Sequence, residues 1–326
     1  PEKADESAGA DVPEDLPQPF GAYGRLAMPE QRSVIVKNAT LWTSAAAGIV
    51  EGAVLVVEDG KIRYVGPEEF APKIANAVVI DAEGKHVTPG IIDCHSHTGI
   101  SGGVNETGRR VTAEVRIGDV IDPDDISFYR QLAGGLTAAN QLHGSANAIG
   151  GQNSVVKLRW GVVHPDEMKV AGAIGGIKFA LGENPKRVAA GTDIPDEYPQ
   201  TRMGVAALIE DRLTAGKEYR EAWDRYHALS DWEKRSTMPP KRDLELEALG
   251  EIVAGERLIH CHSYRQDEIL MLARIAQRFG FKIGTFQHIL EGYKVAEEVG
   301  ASAVGASTFS DWWAYKFEVV DAIPHN

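Results

Sequence analysis

Residues 87–99 read Val-Thr-Pro-Gly-Ile-Ile-Asp-Cys-His-Ser-His-Thr-Gly, and this pattern decides how the rest of the chain is parsed. Pro89 and Gly90 make a turn, Ile91 and Ile92 begin an apolar strand, and the strand runs into Asp93, His95 and His97. Successive strand side chains alternate between faces, so His95 and His97 project together, roughly 6–7 Å apart along the strand. That geometry suits two imidazoles closing on one metal ion. Two histidines at i and i+2 are also an ordinary solvated strand pattern. An apolar strand that delivers both at its C-terminal end, after a Pro-Gly turn, is more than burial alone requires.

Upstream, residues 33–88 read as short alternating strands. Val34 and Val36, then Val54 and Val56, give each strand one apolar face, and Asp59-Gly60 is a two-residue hairpin turn. Three or four antiparallel strands are expected, in a sheet too small to be stable alone. Residues 1–32 form an acidic, proline-rich segment whose first 19 residues hold six acids against one lysine. Such a segment buries too little to fold and is expected to be disordered. The chain begins at Pro1 without a Met, so cytoplasmic and exported locations both stay open.

Downstream, Asp122-Pro123 starts a helix and Gly134-Gly135 stops it. A strand ending at His143 follows, then a Gly-, Asn- and Ser-rich loop over residues 145–154. Further strands hold Lys157 and Lys178. A long amphipathic helix over residues 201–229 comes next, then helices with Leu246, Leu249 and Val253 on one side, and Ile269, Leu272, Ile275 and Phe279 on another. Between and after them lie apolar runs ending in His260, His288 and Thr308. Strands alternating with helices imply βα units and a parallel sheet, with seven strands counted from Ile91. His95, His97, His260 and His288 then stand at the C-terminal ends of three strands, where a (β/α)8 barrel assembles its active site. Nitrogen ligands suit zinc or a related transition metal. Taken singly, each histidine is equally well a satisfied core residue.

Pro89-Gly90-Ile91-Ile92-Asp93 with His95 and His97 resembles the first barrel strand of the amidohydrolase superfamily, most closely its imidazolonepropionase-related members. The resemblance runs from about Ser33 to the end of the chain. It implies a (β/α)8 barrel over residues 89–326, preceded by a small β-sandwich over residues 33–88 that the chain's end returns to complete. It also implies a divalent metal, zinc, as one or two ions held by His95, His97, His260 and His288. Lys178 is the best match to a carboxylated lysine bridging two ions, with Lys157 as competitor. His262 shares a face with His260, so that strand offers a choice; the family takes the first histidine, leaving His262 beside the metal or on the substrate side. The superfamily's catalytic Asp ends an eighth strand, and this chain stops at Asn326 before such a strand; Asp311 falls in the preceding mouth loop. The sequence is therefore expected to be a C-terminally truncated fragment, which a stop codon directly after Asn326 would refute.

The function implied is metal-dependent hydrolysis of carbon–nitrogen bonds other than peptide bonds, in amides, cyclic amides or imidazolones, with Lys178 and His262 in catalytic roles. The alternative is a non-catalytic protein of the same fold acting in binding or assembly. His143, Asn147, Gln152 and Asn153 are candidates for contact with a small-molecule substrate, or equally loop-stabilising hydrogen bonders. A net charge of −13 over 326 residues argues against nucleic acid or an anionic membrane as partner. No apolar run approaches the roughly 18 residues of a membrane span. Self-association stays open. Cys94 and Cys261 could pair, although strand cysteines in a core are more often free thiols. Neither a phosphate-binding G-x-x-x-x-G-K-[ST] loop, a G-x-S-x-G elbow nor a dinucleotide G-x-G-x-x-G after a first strand occurs.

Overall fold

The structure, a computed structural model, describes residues 30–186 and 198–308. They fall into two compact units, one running to Ile91 with Ala133–Thr137 added, the other comprising Ile92–Leu132 and the residues from Ala138 onward. The stretch expected to be disordered, residues 1–32, lies outside the described residues except for its last three, which are exposed. Asp311 also lies outside them.

In the first unit β1 (Val34–Trp42), β2 (Ile49–Glu58) and β3 (Lys61–Gly66) pair antiparallel in sequence. The β2–β3 turn is Asp59-Gly60, with both residues at positive φ (51° and 71°), the twist a two-residue hairpin demands. β4 (Val78–Asp81) and β5 (His86–Val87) correct the antiparallel expectation, because both run parallel to β1. The connection over residues 67–77 is too long for a hairpin and carries the chain past β2 to the open edge of β1, giving the order β3-β2-β1-β4. Val54 and Val56 are buried, and Ala39, Leu41, Ala53 and Ala82 form a small core.

The second unit holds two hydrogen-bonded sheets. One is β6 (Ile91–Ser96) with β7 (Leu136–Gln141) and β9 (Ser154–Lys157) in the order β6-β7-β9, apart from Ile91, Leu136 and Thr137, which are counted with the first unit. The other orders β13 (Ala303–Ala306), β12 (Ile283–Gln287), β11 (Arg257–His262), β10 (Gly175–Ala180) and β8 (Ile149–Gln152). From β10 to β13 neighbours are parallel. β8 is antiparallel to β10, and β9 to β7, so the sheets are mixed rather than wholly parallel. β8 also lies where the sequence reads as loop. A Cβ added at Gly150 or Gly151 would stand 2.7 or 2.9 Å from the His143 ring, so these glycines let a strand lie close against an imidazole. From Ile91 on, the described residues thus contain eight strands rather than seven.

Three of the helices, over residues 202–227, 244–253 and 266–279, pack on one face of the larger sheet. α1 (Ile126–Ala133) starts four residues later than Asp122, because the Asp125 carboxylate caps it by accepting from the Ser127 N–H at 2.8 Å. α2 (Arg202–His227) is capped by Thr201, α3 (Asp231–Ser236) by a Ser230–Glu233 capping box, and α4 (Leu244–Val253) by Asp243. α5 (Gln266–Phe279) ends at Gly280 in the left-handed conformation, and α6 (Ala296–Ser302) leads into β13. Ile269, Leu272 and Ile275 of α5 and Leu249 of α4 join Ile177, Phe179, Ile259, Cys261 and Phe286 in one core. Both cysteines are free, Cys94 exposed and Cys261 buried, and burial pushes the Cys261 thiol up to about 12. No described helix is long and apolar enough to cross a membrane.

Candidate functional site

The register of β10, β11 and β12 sets out two rows of side chains. Lys178 lies opposite His260 and His260 opposite Thr285; two residues on, Ala180 lies opposite His262 and His262 opposite Gln287. Partners in register, and residues two apart, share a face. The other face carries Ile177, Phe179, Ile259, Cys261 and Phe286, all fully buried against the helices. Strands buried on both sides ordinarily read as unbroken apolar runs, so a polar line of lysine, histidines, Thr285 and Gln287 is costly unless each group is partnered.

β6 and the residue that follows it bring His95 and His97 to the same place. His95 Nε2 stands 3.1 Å from His97 Nε2 and 3.2 Å from Lys178 Nζ. The opposite nitrogens are engaged elsewhere: His95 Nδ1 lies 3.0 Å from Gln287 Oε1, and His97 Nδ1 lies 2.8 Å from the Leu142 carbonyl oxygen. A carbonyl oxygen only accepts, so both Nδ1 atoms carry the proton. Burial, with the Lys178 charge beside it, pulls His95 down to about 2, and burial lowers His97 as well, so both rings are neutral near pH 7. Two Nε2 lone pairs therefore face each other across 3.1 Å. Two ligand nitrogens on a tetrahedral zinc at about 2.0–2.1 Å stand roughly 3.3 Å apart, so the pair has the chemistry and spacing of a cation site.

His288 lies beside this pair and His262 beside His288, while His260 is the neighbour of Lys178 in register. The His288 ring centroid lies 5.3 Å from that of His95 and 4.5 Å from that of His262. His288 has φ 39°, a left-handed conformation rare for a residue with a side chain, and such strain, of order 1–3 kcal/mol, concentrates at functional positions. His260 Nδ1 lies 2.8 Å from Thr285 Oγ1, and burial followed by the Lys178 charge lowers its pKa to about 4. Lys178 is 1% exposed, and burial brings its ammonium from 10.5 to about 8. Lys157, the competing lysine, is exposed at the end of β9. Tyr264 is fully buried 4.5 Å from the His262 ring and 5.2 Å from that of His288. Among the described residues no three His, Cys, Asp or Glu side chains already form a coordination sphere; beside His95 Nε2 lies the Lys178 ammonium instead.

The four candidates for substrate contact are bound up in loop structure. His143 uses both nitrogens, Nδ1 at 3.0 Å from the Gly144 carbonyl oxygen and Nε2 accepting from the Glu106 N–H at 2.8 Å. Asn147 donates through Nδ2 to the Glu106 and Arg109 carbonyls, both at 2.6 Å. Gln152 donates to the Ala113 carbonyl at 2.9 Å, and Asn153 to Asn140 Oδ1. These bonds fasten the segment over residues 105–113 and the β8–β9 excursion. Thr285, Gln287 and Tyr264 are neighbours of the histidines that sequence reasoning passed over. Their signal was polar or aromatic side chains beside histidines in apolar strands, which Thr285-Phe286-Gln287-His288 shows in one line.

No family model matches the chain. An amidohydrolase from Thermotoga maritima MSB8 superposes on it with a TM-score of 0.76 and 31% identity, over 89% of this chain and 73% of that one. The chain is 29% identical over 90% of its length to the amidohydrolase tasK of Hapsidospora irregularis, of which it covers 33%. It is 32% identical over 74% of its length to a 5-methylthioadenosine/S-adenosylhomocysteine deaminase of Symbiobacterium thermophilum, of which it covers 61%. Segments of 18–25% of the chain match imidazolonepropionases at 37–45% identity. The chain thus spans between a third and three fifths of the curated relatives that match most of its length.

Proposed function

Because the chain belongs to the amidohydrolase superfamily, we propose that it carries the metal-binding part of a hydrolase acting on carbon–nitrogen bonds of a small molecule, in an amide, cyclic amide or imidazolone. The observation that carries this is the approach of His95 Nε2 to His97 Nε2 at 3.1 Å and to Lys178 Nζ at 3.2 Å. On this reading the two sheets of the second unit are walls of one (β/α)8 barrel, and the sheet of residues 33–88 is part of a β-sandwich. His95, His97, His260 and His288 would hold the metal, and nitrogen donors of this softness and number suit zinc. When bound, the ion supplies Lewis acidity and a water acidified to about pKa 7.

The chain's own groups have separable tasks. Gln287 and the Leu142 carbonyl keep the His95 and His97 protons on Nδ1 and so present Nε2 inward. Lys178, deprotonated easily because it is buried, could as the free amine add carbon dioxide on Nζ with loss of a proton, and the carbamate so formed would replace a cation with an anionic oxygen donor able to help hold a divalent ion. His262, buried between Tyr264 and His288, would stand on the substrate side of the metal, where it could hold or pass a proton. Names of relatives that include amidohydrolase, deaminase and imidazolonepropionase support C–N hydrolysis as the reaction class.

Metal analysis of full-length protein purified without chelator tests this reading. One or more transition-metal ions per chain, with loss of thermal stability and of amide or imidazolone hydrolysis on chelation, is the expected result. Less than one ion per chain with unchanged stability would instead identify a non-catalytic protein of the same fold.

A further inference from the structure

Three polar side chains outside the proposed ligand set tie its histidines together. Gln287 is fully buried on β12. Its Oε1 accepts from His95 Nδ1–H at 3.0 Å and from the Ser307 hydroxyl at 2.9 Å, and its Nε2 donates to Thr285 Oγ1 at 2.5 Å. Thr285 Oγ1 lies 2.8 Å from His260 Nδ1. Ser307, the residue directly after β13 (Ala303–Ala306), also accepts from the His288 N–H at 3.0 Å. Histidines from β6, β11 and the end of β12 therefore meet in one hydrogen-bonded bracket.

The bracket has a direction. The Lys178 ammonium only donates, so His95 Nε2 accepts and His95 Nδ1 carries the proton. That orients the Gln287 amide with Oε1 toward His95 and leaves Nε2 to donate to Thr285. The Thr285 hydroxyl, with one lone pair taken by Gln287, keeps a second with which it can accept from a His260 Nδ1–H at 2.8 Å. We propose that Gln287 and Thr285 are positioning residues that set the tautomers of His95 and His260 together, each with the proton on Nδ1 and Nε2 left as donor to a metal ion. This rests on the metal-site reading above. Ser307 extends the bracket to the backbone of His288, whose left-handed φ it holds in place.

Groups that fix a ligand histidine from its far nitrogen typically change metal affinity by about tenfold to a hundredfold when removed. Thr285→Val keeps the branched shape and removes the acceptor; Thr285→Ser restores it; Gln287→Met removes the amide at similar length. Zn(II) affinity of each full-length variant is read by competition with a chromophoric chelator. In metal-free protein labelled with 15N-histidine, two-bond proton–nitrogen correlation reads the tautomers. The expected result is Zn(II) binding weaker by about tenfold to a hundredfold in Thr285→Val and Gln287→Met, recovery in Thr285→Ser, and a shift of His260 toward the Nε2–H tautomer in Thr285→Val. Unchanged affinity and unchanged His260 tautomer in Thr285→Val, or no recovery in Thr285→Ser, overturns the bracket. Wild-type protein that binds no Zn(II) overturns the metal-site reading and the bracket with it, whereas normal wild-type binding with indifferent variants overturns the bracket alone.

Discussion

Replacing Lys178 by Met removes the one ammonium at the centre of the histidine cluster, and the metal-free protein should become more stable for it. Lys178 is 1% exposed, and burial is the largest cause of its fall from 10.5 to about 8. Near pH 7 the folded protein carries this cation at a cost of roughly 3 kcal/mol relative to the unfolded chain. Methionine fills a similar length without charge and forfeits the donor to His95 Nε2, worth about 1 kcal/mol. The expected gain is therefore about 2 kcal/mol, read as a shift in the urea midpoint at unchanged slope. The sign with pH is a second check. A folded pKa below the unfolded one makes wild-type stability rise as pH climbs from about 8 toward 10.5, so the advantage of the Met variant should shrink over that window. Hydrolysis and any second metal ion should be lost in the same variant. Destabilisation of the metal-free protein by Lys178→Met, with no pH dependence, would refute the burial cost assigned to this lysine.

Other perturbations have equally definite outcomes. Acid should weaken the metal-free fold: His95 and His260 stay neutral down to about 2 and about 4, while unfolded histidines protonate near 6.5. Stability present above that pH is lost below it, by at most about 1.4 kcal/mol per pH unit per histidine, and thermal melts between pH 7 and 5 would show no decline if these rings were not buried and neutral. Gly99→Ala should cost several kcal/mol, about as much as a severe core clash, because Gly99 has φ 65° and a Cβ there would stand 2.2 Å from the buried Phe128 ring; a melting temperature equal to wild type would contradict it. Asn147→Ala should cost about 2 kcal/mol and raise amide exchange over residues 106–112, since it severs two 2.6 Å bonds to the Glu106 and Arg109 carbonyls. Unaltered exchange there would show that the loop does not depend on this side chain.

What the sequence made legible depended on local signals. The Asp59-Gly60 turn and the Ile269–Leu272–Ile275 stripe each depend on residues close together in the chain, and both are present where expected. The path of the chain around β1 was not legible, because nothing in residues 67–77 states which edge the next strand will join. β8 was hidden for a different reason: Gly150 and Gly151 look like loop residues, and only the His143 ring packed against them explains their place in a strand. At the site, the histidines stood out because H-x-H after a Pro-Gly turn is unusual. Gln287, Thr285 and Ser307 did not, since hydrogen bonds between side chains as distant in sequence as His95 and Gln287 leave no periodic trace.

The most direct test is an anomalous difference map collected at the zinc edge from crystals of full-length protein grown with Zn(II). A peak bounded by Nε2 of His95 and His97 and by the rings of His260 and His288 is the predicted result. An absent peak, or one bound away from these four imidazoles, would contradict the metal centre and the hydrolysis built on it.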